Sequence, residues 1–292
     1  MKILLFGGAG QLGWELRKRA DDLEFEVVSP VAAELDITDH GQVLKVVGSV
    51  SPDVVINCAA YTAVDRAEEE VDVAFKINRD GAFNIADACA MHKARFIHVS
   101  TDYVFDGLLG RPLREDDKKN PLSVYGRSKW EGEERIQDVL GGDALIVRTQ
   151  ALYGQKGVNF VQTMLKLFAD RDVVKVVDDQ WVSPTWAGWL AEVLLDCSRI
   201  QAGGALHASC EGTVSWYEFA SEIRALALPG FEGKKIATVE RTTAATLNRP
   251  APRPTFSAFD TTRLTTLLGR PPMRWKDALE TFLKEIGVVQ AG

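Results

Sequence analysis

Cysteine is scarce in this sequence, with 4 among 292 residues, and Cys58, Cys89, Cys197 and Cys210 show no Cys-x-x-Cys or Cys/His spacing. That scarcity excludes a disulfide scaffold and a thiolate-bound metal, so no metal site is expected. Cys58 ends the apolar run Val54-Val55-Ile56-Asn57-Cys58, where a thiol serves as a small hydrophobe. Long apolar runs are missing as well. Neither a signal-peptide core nor a membrane-spanning stretch is predicted, and a cytoplasmic location is expected. Surplus positive charge is also lacking: the net charge is −7, and the basic residues are scattered. Nucleic acid and anionic membrane surfaces are therefore not expected partners.

What is present is enough apolar material for a large core, at 46% of residues, arranged in short runs at 3–6, 26–29, 54–58, 96–99 and 145–147. Helix-like patterns lie between them. Strands alternating with helices imply an α/β fold: a Rossmann-like doubly wound parallel sheet with right-handed crossovers. A helix is expected over about 42–47, with capping candidates in Asp36-Ile37-Thr38-Asp39, and another over about 73–91, with Gly81 as a local weak point. After Arg148 the alternation weakens and proline and aromatic residues gather, as in Gln180-Trp181-Val182-Ser183-Pro184-Thr185-Trp186 and Arg249-Pro250-Ala251-Pro252-Arg253-Pro254. The expected organisation is a dinucleotide-binding domain at 1–150 and a smaller α+β substrate-binding domain at 151–292. The segments 173–177 and 205–207 are candidates to return to the first sheet.

Two constellations carry chemistry. Gly7-Gly8-Ala9-Gly10-Gln11-Leu12-Gly13 follows the first apolar run and opens a helix-like segment. Glycines there permit a tight turn and close backbone approach, and the helix N-terminus offers N–H groups to a pyrophosphate. The spacing is GxxGxxG and not GxGxxG. The second is Tyr125-Gly126-Arg127-Ser128-Lys129, preceded by Ser100-Thr101-Asp102 at the end of the run 96–99. Residues four apart on a helix share a face, so the Tyr125 hydroxyl and Lys129 ammonium are expected in one cleft. A nearby cation is what lets a phenol of reference pKa about 10 act in acid–base chemistry. Thr101, at the carboxyl end of its strand, is placed to hold a carbonyl beside Tyr125.

These motifs, with Asn57-Cys58-Ala59-Ala60-Tyr61-Thr62-Ala63-Val64-Asp65 and Ser100-Thr101-Asp102-Tyr103-Val104-Phe105-Asp106-Gly107, resemble the extended short-chain dehydrogenase/reductases. Within that family the chain is similar to the dTDP-4-dehydrorhamnose reductases, and the similarity continues through Arg148-Thr149, Asn159-Phe160, Asp179-Gln180-Trp181 and Arg253-Pro254. The resemblance implies an NAD(P)H-dependent oxidoreductase that reduces the C4 ketone of a dTDP-deoxysugar. Tyr125 would donate the proton, and Lys129 would lower its pKa and bind the nicotinamide ribose. Gly7, Gly10, Gln11, Leu12 and Gly13 would meet the pyrophosphate, Asp36 and Ile37 the adenine side, and Ala59, Ala60 and Thr62 the dinucleotide cleft. Thr101 and Asp102, with Asn159, Trp181 and Arg253, would hold the sugar nucleotide. A homodimer is a further implied arrangement.

The chain departs from the family in three places. A tryptophan common two residues after the Arg-Thr pair is replaced, the chain reading Arg148-Thr149-Gln150-Ala151; Trp181 and Trp186 are candidates to supply the missing aromatic face. Magnesium, held between subunits in some relatives, is not expected, because Glu15 is present but Gly188 stands where a second acid is sought. The second strand ends Val27-Val28-Ser29-Pro30, with no carboxylate for a ribose diol and no adjacent Arg or Lys for a 2′-phosphate. NADPH is the expected cofactor, with NADH the alternative. Two other functions stay open: a reductase of another 4-keto-6-deoxysugar nucleotide, and a non-catalytic regulatory subunit like that of methionine adenosyltransferase.

Overall fold

The short apolar runs pair into one parallel sheet in a computed structural model that describes residues 1–231 and 236–289. Its strands are β1 (Lys2–Phe6), β2 (Glu26–Val28), β3 (Val54–Asn57), β4 (Arg95–Thr101), β5 (Leu145–Thr149) and the late strand Gly204–His207. Their order across the sheet is Gly204–His207, β5, β4, β3, β1, β2. From β1 the chain crosses first to β2 on one side and then to β3 on the other, so the order reverses between β1 and β3. That reversal leaves a crevice at the strands' carboxyl ends, where open α/β sheets hold ligands. The register sets Phe6 opposite Asn57 and Thr101 opposite Thr149.

Side chains alternate across each strand, and both faces are covered. Ile3, Leu5, Ile56 and Val147 pack against α1 (Gln11–Asp22) and the helix Ala187–Arg199. Leu4, Phe6, Val55 and Ile146 pack against α2 (His40–Val50) and the helices Ala82–His92 and Val124–Leu140. Burying each such side chain contributes about 1.5–3 kcal/mol relative to exposure. α2 is capped by Asp39, whose side chain accepts from the Gln42 N–H at 3.1 Å; Asp36 instead accepts from Thr38 N–H.

The single helix expected over 73–91 is interrupted. Val71–Phe75 passes into a π turn, Lys76–Gly81, before Ala82–His92. The inserted turn aims Asn78 inward, where its amide nitrogen donates to the Tyr61 carbonyl at 3.1 Å and to Ser128 Oγ at 2.9 Å. π turns of this sort mark functional positions in helices. Gly81 leaves the space filled by Ile37.

Beyond Thr149 the chain builds small ladders and helices at the carboxyl edge of the sheet. Gly204–His207 returns beside β5, whereas Val173–Val177 pairs with Thr238–Thr242 in a separate parallel ladder. The remaining helices include Phe160–Asp170, Trp216–Ala227 and Trp275–Glu285; the range 151–292 extends past the described residues at its end.

Candidate active site

The turn after β1 is shaped by backbone. Gly7 adopts φ +79°, a left-handed conformation that side chains disfavour, and the Gly10 N–H closes the turn on the Gly7 carbonyl at 3.0 Å. Gly13 lies behind the turn. A Cβ there would fall on the Gly7 carbonyl oxygen and within 2.6 Å of the Gly8 Cα. α1 therefore seats directly against the turn, with its N-terminus at the crevice. The adjoining cleft, about 450 Å³, is lined by Gly7, Gly10, Asp36, Ile37, Ala59 and Ala60, among others.

Gly10 and Ala60 are shared with a second cleft of about 590 Å³, also lined by Gln11, Leu12, Thr62, Thr101, Asp102, Tyr125 and Lys129. Asp102 and Ala151 in turn border a recess of about 170 Å³ that holds Arg249, Arg253 and Trp216. The glycine turn, the Thr101 strand end and the Tyr125 helix thus open on one continuous trough.

Each polar group in the trough has a definable state. Tyr125 is buried, and burial pushes its phenol well above the ordinary value, with the Thr101 hydroxyl working the other way. Thr101 Oγ1 also donates to Asp102 Oδ1 at 3.0 Å and accepts from Tyr103 N–H at 3.2 Å. Burial raises the Asp102 carboxyl to about 6, opposed by hydrogen bonds from Ser257 and Thr101.

Lys129 is turned toward the sheet. Its Nζ donates to the Val99 carbonyl at 2.7 Å and meets His98 Nε2 at 3.0 Å. Asn57 Oδ1 accepts from the Ala59 N–H at 2.9 Å, which sets its amide nitrogen 3.1 Å from His98 Nδ1. Assigned from these partners, His98 Nδ1 accepts and Nε2 carries the proton, which Lys129 can receive once it is an amine. Burial, opposed by the charge of Glu133, draws the Lys129 ammonium down to about 8, so the amine form is reached just above neutral pH. The Lys129 nitrogen is engaged by β4, and the groups that shift the Tyr125 phenol are burial, Thr101, Asp102 and Tyr103.

Other expected residues act at one remove. Asn159 caps the helix Phe160–Asp170 and donates to Gln11 Oε1 at 3.1 Å and to the Gly154 carbonyl at 2.8 Å, so it positions Gln11. Arg253 pairs with Asp65 at 2.9 Å. Trp181 is 40% exposed on the strand Trp181–Val182, and its neighbours Gln180 and Val182 line the recess while it does not. Trp186 is buried under the Arg19 guanidinium. The aromatics lining the recess with Ala151 are Tyr103 and Trp216, and sequence reasoning missed Trp216 because it comes from a distant helix start. Glu15 is buried and ion-paired with Arg19. Linear reading also missed His98, which resembles any other residue of a buried strand, and Arg249, which has no ion pair among the described residues.

A glycine turn at a topological switch point, continuous with a buried Thr, Tyr and Lys set, defines an oxidoreductase of the Rossmann class. Comparison with known proteins agrees: the RmlD substrate binding domain family matches residues 1–288, and the chain belongs to that family. A dTDP-4-dehydrorhamnose reductase of Aggregatibacter actinomycetemcomitans is 40% identical over 288 residues, covering 96% of this chain and 98% of that protein. A dTDP-4-keto-6-deoxy-D-glucose reductase of Streptomyces niveus is 41% identical over 217 residues, covering 74% and 75%. The crystal structure of dTDP-4-dehydrorhamnose reductase from Bacillus anthracis str. Ames in complex with NADP superposes with a TM-score of 0.91 at 35% identity, covering 97% of this chain and 99% of that one.

Proposed function

We propose that this chain is an NADPH-dependent reductase of the C4 ketone of a dTDP-deoxysugar, converting dTDP-4-dehydro-L-rhamnose to dTDP-L-rhamnose. The observation that carries this reading is the continuous trough from the glycine turn to Tyr125 and on to Arg253. The relatives' named activities point the same way. A dinucleotide fits the first cleft, because the Gly7 and Gly13 cradle has no room for side chains and α1 begins at its rim, Gly10 and Gln11 lining the trough. When bound, the nicotinamide supplies the hydride.

The chain's own residues do the rest. Thr101, once its one hydroxyl proton turns from Asp102 to the substrate, holds the ketone oxygen, and the Tyr125 hydroxyl, kept protonated by burial, donates its proton to that oxygen as charge develops there. His98 and Asn57 hold Lys129 at the trough floor, where its nitrogen can bond ribose hydroxyls. Arg249 and Arg253 offer paired positive charge to the substrate's diphosphate. On this reading residues 1–150 hold the cofactor, and 151–292 supply the sugar-facing surface. The protein works in the cytoplasm, where both nucleotides are held.

A second reading, reduction of another 4-keto-6-deoxyhexose nucleotide, is favoured by Ala151. It presents no aromatic face where the family resemblance leads one to expect tryptophan, and it sits at φ +43°, a strained backbone that shapes the recess wall. The test is consumption of NADPH with dTDP-4-dehydro-L-rhamnose and, separately, with dTDP-4-keto-6-deoxy-D-glucose, with the product sugar identified. Turnover of the first alone supports the main reading, turnover of the second alone supports the alternative, and turnover of neither with NADPH bound points to a binding module.

A further inference from the structure

A buried hydroxyl without a hydrogen-bond partner destabilises a fold, and each one that is kept calls for an explanation. Among the described residues, the buried side-chain atoms in that position are Glu15 Oε1, Thr149 Oγ1, Tyr153 Oη, Trp186 Nε1 and Ser209 Oγ. Of these five residues, Thr149 is the one that lines the trough. It ends β5 and is 7% exposed.

The sheet sets its direction. Leu145 and Val147 of β5 pack on the α1 face, so strand alternation puts Thr149 on that face too. Ile97 does the same for Thr101 at the end of β4. The two threonines are register partners, their backbones about 4.8 Å apart across a parallel ladder, and both line the cleft that holds Tyr125. Their protons differ. Thr101 gives its own to Asp102 at 3.0 Å, whereas the proton of Thr149 has no acceptor in the fold. The next side chain cannot take it, because the Gln150 amide is spent on the Ser257 carbonyl and the Ser183 N–H. A free donor thus stands one strand away from the group that holds the ketone.

We propose that Thr149 is a specificity-determining residue whose hydroxyl donates to the sugar's C3 hydroxyl, beside the reacting ketone, so that this chain selects 3-hydroxy ketosugars over their 3-deoxy congeners. The inference rests on the function proposed above. An oxygen that accepts from Thr149 keeps its own proton free to turn to the neighbouring ketone oxygen, which adds a donor where negative charge develops in the transition state. A congener without that hydroxyl leaves Thr149 buried and unpaired, and is rejected for that reason.

The test is steady-state kinetics of Thr149→Val, which keeps the shape and removes the hydroxyl, and of Thr149→Ser, on dTDP-4-dehydro-L-rhamnose and its 3-deoxy congener. Thr149→Val is expected to lower kcat/KM for the first sugar by roughly 3- to 10-fold, the span of one neutral hydrogen bond, and to leave the congener unchanged. Thr149→Ser restores most of the loss. NADPH affinity, read by fluorescence titration, stays the same, and the melting temperature of Thr149→Val holds or rises, because the lost hydroxyl had no partner in the fold. Full kcat/KM in Thr149→Val, or an equal loss on both sugars, overturns the proposal while the reductase reading stands. A loss of NADPH affinity moves the contact to the nicotinamide and overturns it likewise, and a melting temperature several degrees lower makes the hydroxyl structural. No turnover of either sugar by the unaltered protein overturns both readings.

Discussion

The two ends of the trough are built on different principles. At the dinucleotide end the shape comes from backbone: Gly7 and Gly13 bring β1, the turn and α1 so close that no side chain fits between them, and the polar contacts on offer are N–H groups. At the sugar end the shape comes from side chains carried by β4, the helix Val124–Leu140 and the segments around 180, 216 and 250. Many of these are buried and ionisable. The backbone end can be specified within one local motif, whereas the side-chain end requires distant segments to converge and must hold charge in a dry interior.

That contrast can be broken most severely beneath the sugar end. Arg148 and Glu133 form a buried, bidentate ion pair at 2.6 Å, with Ser100 also donating to the carboxylate, and it joins β5 to the Tyr125 helix. Arg148→Met leaves Glu133 charged and unpaired in the interior, which costs about 3–5 kcal/mol. Thermal unfolding would show it as a drop of many degrees; a near-neutral change would mean that water or another cation replaces Arg148.

Chemistry is the next lever. Tyr125→Phe removes the proton donor and is expected to lower kcat at least ~100-fold while NADPH affinity, measured by fluorescence titration, changes little. Retention of most activity would remove Tyr125 from its role. At the opposite end Gly13→Ala forces the turn and α1 apart, at about 1–3 kcal/mol for overpacking. It should weaken dinucleotide binding and leave binding of the free sugar nucleotide nearly intact, and parallel losses of both would erase the distinction between the two ends.

The smallest effect is on acid stability, and it tests where the buried titrating groups lie. Burial holds His98 well below its usual 6.5 and His207 down to about 3, the charges of Lys129 and Arg148 respectively adding to it. Both are neutral in the fold, so their contribution is complete above pH 6.5 and is lost as pH falls toward the folded values. Asp102, raised from 3.8 to about 6, runs in the opposite sense: its contribution is complete below the unfolded value and is lost as pH rises through the folded one. Between pH 6 and 4 the two histidines outweigh the one aspartate, so stability should fall as the pH falls. Urea midpoints across that range measure it, and a flat profile would mean that one histidine is solvated.

Legibility followed the same division. The glycine turn, the five early strands and the Tyr125 and Lys129 pairing stand within short windows, and local sterics with strand and helix periodicity made them readable. The π turn at Asn78, the Lys129, His98 and Asn57 chain, and the place of Trp216 in the recess wall were not readable, because each depends on a partner distant in sequence. Trp181 shows the converse: its sequence neighbours line the recess, and strand alternation turns it outward.

By itself, then, the sequence determined the alternating strand and helix order, the turn that only glycine can make, and which residue types were available for proton donation. Those follow from backbone sterics and from periodicity, which act over a few residues. Tertiary structure alone decided which of those residues share a buried cavity, that the Lys129 nitrogen is turned to His98, and that Asn159 reaches Gln11. Burial, donor counting and charge pairing are properties of neighbours in space, and the sheet's reversal between β1 and β3 is what made these residues neighbours.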